Sequence, residues 1–162
     1  MKATGTESAT HSYVTLGIQQ DVFAVNVTLV REILDCQPIA RLPHAPPYLL
    51  GIIDVRGLTV PVIDLRRKLG FAATDEISQT RRILVLEFPA NGRQVVLGLL
   101  CDRVFDVAEL ATVALEAAPD VGVAWKSEYI RAIGRWRNGF VIIFDLERLF
   151  TSDEFAYLDG LT

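Results

Sequence analysis

Along most of the chain, apolar and polar residues alternate or apolar residues run unbroken for a few positions before a turn-forming residue intervenes. Such patterning predicts short β-strands rather than long helices. Residues 13–18 read as a strand, Gln19, Gln20 and Asp21 as a turn, and 22–25 as a returning strand. Asn26 is placed to N-cap a short helix reaching about Leu34, since Val27, Val30 and Leu34 recur at helical spacing and leave Arg31 and Glu32 outward. Residues 36–42 are expected to be extended, whereas Pro43, Pro46 and Pro47 forbid regular structure around His44. Two strands, 51–55 and 58–63, flank a tight turn at Arg56-Gly57, and Asp64 then caps a one-to-two-turn helix that Gly70 ends.

Residues 72–80 are polar and read as a flexible loop. A hairpin over 82–88 and 94–100 turns at Ala90-Asn91-Gly92. Weaker strands follow at 104–110 and 112–115. The last pair, 129–136 and 140–144, turns at Arg137-Asn138-Gly139, after which Asp145 is placed to cap a closing helix holding Leu146, Leu149 and Phe150.

Sliding the sequence by 81 positions lays Tyr48 on Tyr129, Ile52 on Ile133, Arg56 on Arg137, Val60 on Val141, Asp64 on Asp145 and Leu65 on Leu146. The same shift lays Val14, Leu16 and Gly17 on Val95, Leu97 and Gly98. One offset close to half the chain suggests two similar small β units, each closing with strand, Asp cap and helix. Strands this short and dense favour barrels over a sandwich.

Composition narrows the function classes. The chain of 162 residues suits one domain or two tightly joined small ones, and its 51% apolar content describes a packed globule. A net charge of −4 argues against nucleic acid as a partner, because phosphate binding calls for a basic face. The short basic runs, Arg66-Arg67-Lys68 and Arg81-Arg82, read as solvated edges. Cys36 and Cys101 lie in apolar segments and are expected to be small buried hydrophobes. With only His11 and His44, no metal cluster is expected, and no cofactor either. The polar start and the lack of a long apolar run lead us to expect a cytoplasmic protein.

No catalytic template is present: there is no Gly-x-Ser-x-Gly elbow, phosphate loop, dinucleotide glycine fingerprint or His-Glu-x-x-His. Asp54, Asp64, Asp102 and Asp145 each follow an apolar run, where paired carboxylates can do acid–base work. For Asp64 and Asp145 helix capping is the stronger reading. Asp102 is equally readable as a turn residue or a partner contact. Arg56 is pushed into solvent by its turn, and its planar guanidinium suits carboxylates on a partner, though a plain turn role is about as well supported. Pro61, lacking a donor, is expected to mark an edge strand beside that turn.

Taken together, Gly51-Ile-Ile-Asp-Val-Arg-Gly-Leu-Thr-Val-Pro-Val-Ile-Asp-Leu65 resembles the signature of the CheW family of chemotaxis coupling proteins: Gly, two apolar residues, Asn-Leu-Arg-Gly, a short strand, then Pro, two apolar residues and Asp-Leu. Val30-Arg-Glu-Ile33, Val96-Leu-Gly-Leu-Leu-Cys-Asp-Arg-Val104, Ala118-Pro119, Glu128-Tyr-Ile130 and Asp145-Leu-Glu-Arg-Leu-Phe150 resemble further family landmarks in order. Asp54 stands where Asn is usual, Val55 where Leu is usual and Cys101 where Val is usual, and a carboxylate at 54 is positioned to pair with Arg56 or to alter partner preference.

The resemblance implies a mainly β fold of two SH3-like five-stranded barrels around a shared hydrophobic core. It implies an N-terminal flexible segment over 1–11, one CheW-like unit over 12–150 and a C-terminal tail over 151–162 that can be helical. It further implies a non-catalytic adaptor, without cofactor, recruited to membrane-associated receptor arrays. There it would bridge the cytoplasmic signalling tips of chemoreceptors to the regulatory domain of a CheA-type histidine kinase, the kinase being held by a barrel edge. By position, Val30, Glu32, Asp54, Arg56 and Gly57 would form the receptor-binding region, with Gly51, Pro61, Asp64 and Asp145 as structural residues of the motif. The same fold serving a non-flagellar output, such as pili or surface sensing, is the alternative. An enzyme using the aspartates, or a nucleic-acid binder using Trp125, Tyr129 and Trp136, has much less support in the residues.

Overall fold

The computed structural model describes residues 10–71, 79–113, 129–137 and 139–161. Nearly all of the expected N-terminal segment, most of the polar stretch 72–80, and Leu115, Ala118, Pro119, Trp125, Glu128 and Asn138 lie outside the described residues.

Among the described residues, ten strands carry the fold: β1 (Thr10–Ile18), β2 (Asp21–Asn26), β3 (Val30–Asp35), β4 (Leu49–Val55), β5 (Leu58–Asp64), β6 (Arg82–Ala90), β7 (Arg93–Cys101), β8 (Arg103–Val113), β9 (Ile130–Trp136) and β10 (Gly139–Phe144). The described residues also form short helices α1 (Leu65–Lys68), α2 (Leu146–Leu149) and α3 (Ser152–Asp159). One lobe is a closed barrel in the order β1-β2-β10-β9-β8. The other is a five-stranded sheet in the order β3-β6-β7-β5-β4, with Ala40 bridging to Ile52 on the outer side of β4. The chain thus begins in the first lobe, builds the whole of the second, and returns.

Period-two alternation sorts the side chains between lobe interiors and the lobe interface. On β6, Ile83 and Val85 join Ile53, Val55, Val60, Val62 and Leu100 inside the second lobe, while Leu84, Leu86 and Phe88 face the other way. There they meet Val14, Leu16 and Ile18 of β1 and Phe23 and Phe144 of the first lobe in one shared core. Phe155 and Leu158 of α3 belong to that same core, so one face of this helix packs onto it. The capping box of Thr151 and Glu154 starts α3, and Lys68 reaches across to Glu154 at 2.9 Å on both carboxylate oxygens.

The 81-residue echo is structural in its main part. β4, β5 and α1 fall on β9, β10 and α2, and both units are tied identically: Asp64 N–H donates to the Tyr48 carbonyl at 2.8 Å and Asp145 N–H to the Tyr129 carbonyl at 2.9 Å. The fainter echo of Val14, Leu16 and Gly17 on Val95, Leu97 and Gly98 has no such meaning. β7 lies parallel to β5, and the strand lying parallel to β10 is β2, not β1. Apolar strands matched there only because they share a burial pattern.

Several other expectations are corrected. Asn26 does cap, accepting from Thr28 N–H at 2.9 Å, but the helix lasts only for a 3-10 turn, Val27–Leu29, before β3 pairs with β6. A register shift between Val30 and Glu32 mimics helical spacing: it turns Val30 to the shared core and Leu34 to the second lobe's interior. Pro61 is on an interior strand, between β4 and β7, not at an edge. Its partner Ile52 directs both backbone groups to Ala40, so the Pro61 nitrogen faces the β7 side, where pairing begins only at Val62. The missing donor therefore costs no ladder bond.

Residues 103–113 form one strand rather than two, and the closing helix is two, broken at Phe150. Cys36 is exposed, whereas Cys101 is buried and its thiol is pushed up to about 12, by burial first and by Asp102 second. The run Arg66-Arg67-Lys68 is not a solvated edge. Arg66 is buried beside Asp64, and Lys68 lies over the rings of Tyr48 and Phe150 at 4.7 and 5.0 Å, leaving Arg67 as the exposed member.

Candidate functional site

The hairpin β4–β5 turns in two residues, Arg56 at φ +53° and Gly57 at φ +86°, the left-handed pair that a tight hairpin needs to follow strand twist. Asp54 locks the turn, accepting from Gly57 N–H at 2.8 Å. This settles its local role: Asp54 serves the turn backbone, and the carboxylate that meets Arg56 is Glu32 on β3, 3.5 Å away.

Glu32 reaches the turn because of the same register shift that sends Val30 elsewhere. Opposite residues on paired strands share a face. Val30 is paired with Leu86 of the shared core and Glu32 with Val85 of the second lobe's interior. Glu32 therefore rises at the mouth of the second lobe, over a small cavity of about 100 Å³ lined by Glu32, Val55, Arg56, Leu58, Val60 and Val85 among others. Val30 is half-buried at the crossing between lobes and does not line this cavity.

Among the five predicted contact residues, then, Glu32, Asp54, Arg56 and Gly57 are brought together and Val30 stands apart. The Arg56 side chain is 84% exposed, so its ion pair contributes about 0–1 kcal/mol. A non-glycine residue in a left-handed turn costs about 1–2 kcal/mol. Local stability alone gives no reason for arginine there, and the arrangement presents an apolar rim (Leu58 is 38% exposed) beside a guanidinium held loosely by one carboxylate.

The structural residues of the motif divide by mechanism. Gly51 has φ +151°, and a Cβ there would come within 2.1 Å of the Ala40 carbonyl oxygen, so glycine is what lets residue 40 bridge to β4. Asp64 caps α1, accepting from Arg66 N–H at 3.1 Å. Asp145 occupies the equivalent position before α2 without a side-chain capping bond, and lies 3.6 Å from the Arg148 guanidinium instead.

The undecided Asp102 is an internal junction. It accepts from Gln19 N–H at 2.6 Å in the first lobe and lies 3.9 Å from the buried Arg66 of the second. Sequence reasoning missed Leu58 and this buried Asp64–Arg66–Asp102 chain. The first had no signal beyond its neighbours, and the second joins residues far apart in sequence. No group of carboxylates, histidines and cysteines suited to a metal ion occurs among the described residues, and no helix among them is long and apolar enough to cross a membrane.

Comparison with known proteins matches residues 12–154 to the CheW-like domain. A probable chemotaxis protein CheW of Rhizobium etli is 32% identical over 132 residues, 82% of each chain. The chemotaxis protein CheW of Klebsiella aerogenes is 30% identical over 147 residues, covering 91% of this chain and 84% of the relative. The crystal structure of scaffolding protein TtCheW from Thermoanaerobacter tengcongensis superposes with a TM-score of 0.72 at 24% identity, covering 86% of this chain and 92% of that one, which establishes the shared fold.

Proposed function

The chain belongs to the CheW-like domain family, and from that premise we propose the contacts through which it acts as a non-catalytic chemotaxis coupling adaptor. The cytoplasmic signalling tip of a chemoreceptor docks on the mouth of the second lobe, and the regulatory domain of a CheA-type histidine kinase is held elsewhere on the same molecule. The observation that carries this assignment is the exposed Arg56, set in a strained turn and paired with Glu32 alone among the described residues.

In this reading Arg56 trades Glu32 for a carboxylate of the receptor, a charge-assisted bond that gains strength as the docked surface excludes water. Leu58 and the small cavity beneath supply the apolar contact. Asp54 and Gly57 fix the direction of the turn, and Val30 adds a half-exposed apolar residue at the crossing between lobes. Such a contact is small, so stable recruitment to a receptor array depends on many weak contacts acting together.

The test is co-sedimentation with receptor signalling tips and a CheA-type kinase. Replacing Arg56→Glu removes the donor and opposes Glu32, and is expected to weaken receptor association by roughly tenfold, the equivalent of 1.4 kcal/mol. Its unfolding midpoint should move by no more than about 4 °C, since an exposed pair contributes at most about 1 kcal/mol. Unchanged receptor binding would sink the assignment, and loss of folding would make Arg56 a structural residue.

A further inference from the structure

The turn that presents Arg56 has a twin. Arg137, 81 positions on, occupies the β9–β10 turn with φ +55°, against +53° at Arg56. Where Arg56 meets Glu32 of β3 at 3.5 Å, Arg137 meets Asp106 of β8 at 3.6 Å. The two lobes therefore raise the same device, an arginine at a left-handed turn position facing one carboxylate on another strand of its own lobe.

The surroundings differ in a way that adds recognition chemistry. At the mouth of the first lobe the Arg137 guanidinium lies 4.0 Å over the Trp136 ring, Phe105 packs on Trp136 with ring centroids 5.2 Å apart, and Arg103 lies 5.8 Å over Phe105. Gly17 makes room for this layer. A Cβ there would meet Arg103 and Phe105 side-chain atoms at 3.1 Å each, so a larger residue would crowd both side chains. Phe105 and Trp136 remain half-buried.

Charge at this mouth is unbalanced. Two guanidiniums, Arg103 and Arg137, stand against Asp106, which also accepts from the buried Thr15 hydroxyl at 2.7 Å. Arg103 makes no ion pair among the described residues. This positive aromatic face occurs on a chain of net charge −4, so it is set apart from the average surface. Tryptophan and arginine at the centre of a water-excluding patch are the residues that dominate protein interfaces, and guanidiniums stacked on rings keep their outward donors free for carboxylates.

We propose that the mouth of the first lobe, built by Arg103, Phe105, Trp136 and Arg137, is a second docking surface, and that its partner is an acidic protein segment carrying an apolar residue. The partner's carboxylate takes the free edge of Arg137 or Arg103, and its apolar side chain covers Trp136 and Phe105. The surface is separate from the Arg56 turn and does not depend on the assignment made there.

The experiment is a titration of the isotope-labelled protein with a soluble peptide of alternating glutamate and leucine, and with a lysine–leucine peptide as the control, followed by NMR. The acidic peptide is expected to shift the Trp136 indole and Arg137 signals. Arg137→Glu and Arg103→Glu should each weaken the binding read at the Trp136 indole by roughly tenfold, while Arg56→Glu leaves that Trp136 response in place. If Arg137→Glu unfolds, Arg103→Glu decides alone. Shifts confined to the Arg56 turn, an equal response to the lysine–leucine peptide, or shifts produced by raising the protein concentration alone would each overturn the proposal, the last by giving the face to a second copy of the chain.

Discussion

Replacing Gly51→Ala tests why the signature motif begins with glycine. The new methyl would sit 2.1 Å from the Ala40 oxygen, 2.8 Å from its carbonyl carbon and 2.9 Å from Ile39 Cγ2, so residues 39 and 40 must move away from β4. Two backbone bonds go with them, Ala40 N–H to the Ile52 carbonyl and Ile52 N–H to the Ala40 carbonyl, both 2.9 Å. Each contributes about 0.5–1.5 kcal/mol net, and an L-residue at φ +151° adds strain of about 1–3 kcal/mol. The total, about 2–6 kcal/mol, is a large share of the 5–15 kcal/mol typical of a folded domain. In a chain of this size it lowers the unfolding midpoint by roughly 5–20 °C.

Gly57→Ala is the matched control. Gly57 also has positive φ, +86°, but nothing lies within 4 Å of the added Cβ, so strain alone remains, at about 1–2 kcal/mol. Thermal unfolding of both variants, with hydrogen exchange at the Ala40 and Ile52 amides, separates clash from strain. Gly51→Ala should lose protection at those two amides and Gly57→Ala should keep it. Equal midpoints with protection retained at both amides would refute the view that Gly51 is there to let residue 40 close the second lobe.

Three further outcomes are expected. Arg56→Glu should weaken receptor association while leaving the unfolding midpoint within about 4 °C, as measured by co-sedimentation and calorimetry. Burial works against ionisation of Glu154, but hydrogen bonds from Thr151 and Lys68 and the Lys68 charge outweigh it and hold the carboxyl below its ordinary value. A carboxyl depressed in the folded state stabilises above its unfolded value and loses that effect as pH falls through the folded one. Glu154→Gln should accordingly flatten the stability profile below about pH 4–5, and an unaltered acid limb would count against the Lys68–Glu154 tie. Thiol labelling of the native protein should modify Cys36 alone, with Cys101 reacting only after unfolding; reaction of both in the native state would contradict the burial of Cys101.

Turns and caps were legible in the sequence because the forces that make them act within a few residues. Arg56-Gly57 and Asn91-Gly92 reveal left-handed turns through residue type, and Asn26 and Asp64 reveal capping oxygens next to free N–H groups. The unbroken apolar run Ile83-Leu84-Val85-Leu86 announced a strand, and the strand–Asp–helix repeat announced two related units. Tertiary structure decided what depends on partners distant along the chain. Only strand pairing shows that β3 replaces a helix, that Pro61 is interior, and that Val30 and Glu32 face opposite ways across one register shift. Only packing shows that Lys68 is enclosed between two rings and Glu154 rather than solvated. Local hydrogen bonds are fixed by neighbouring residue types, whereas register and burial follow from which strands meet, and in this chain the strands that meet often lie dozens of residues apart.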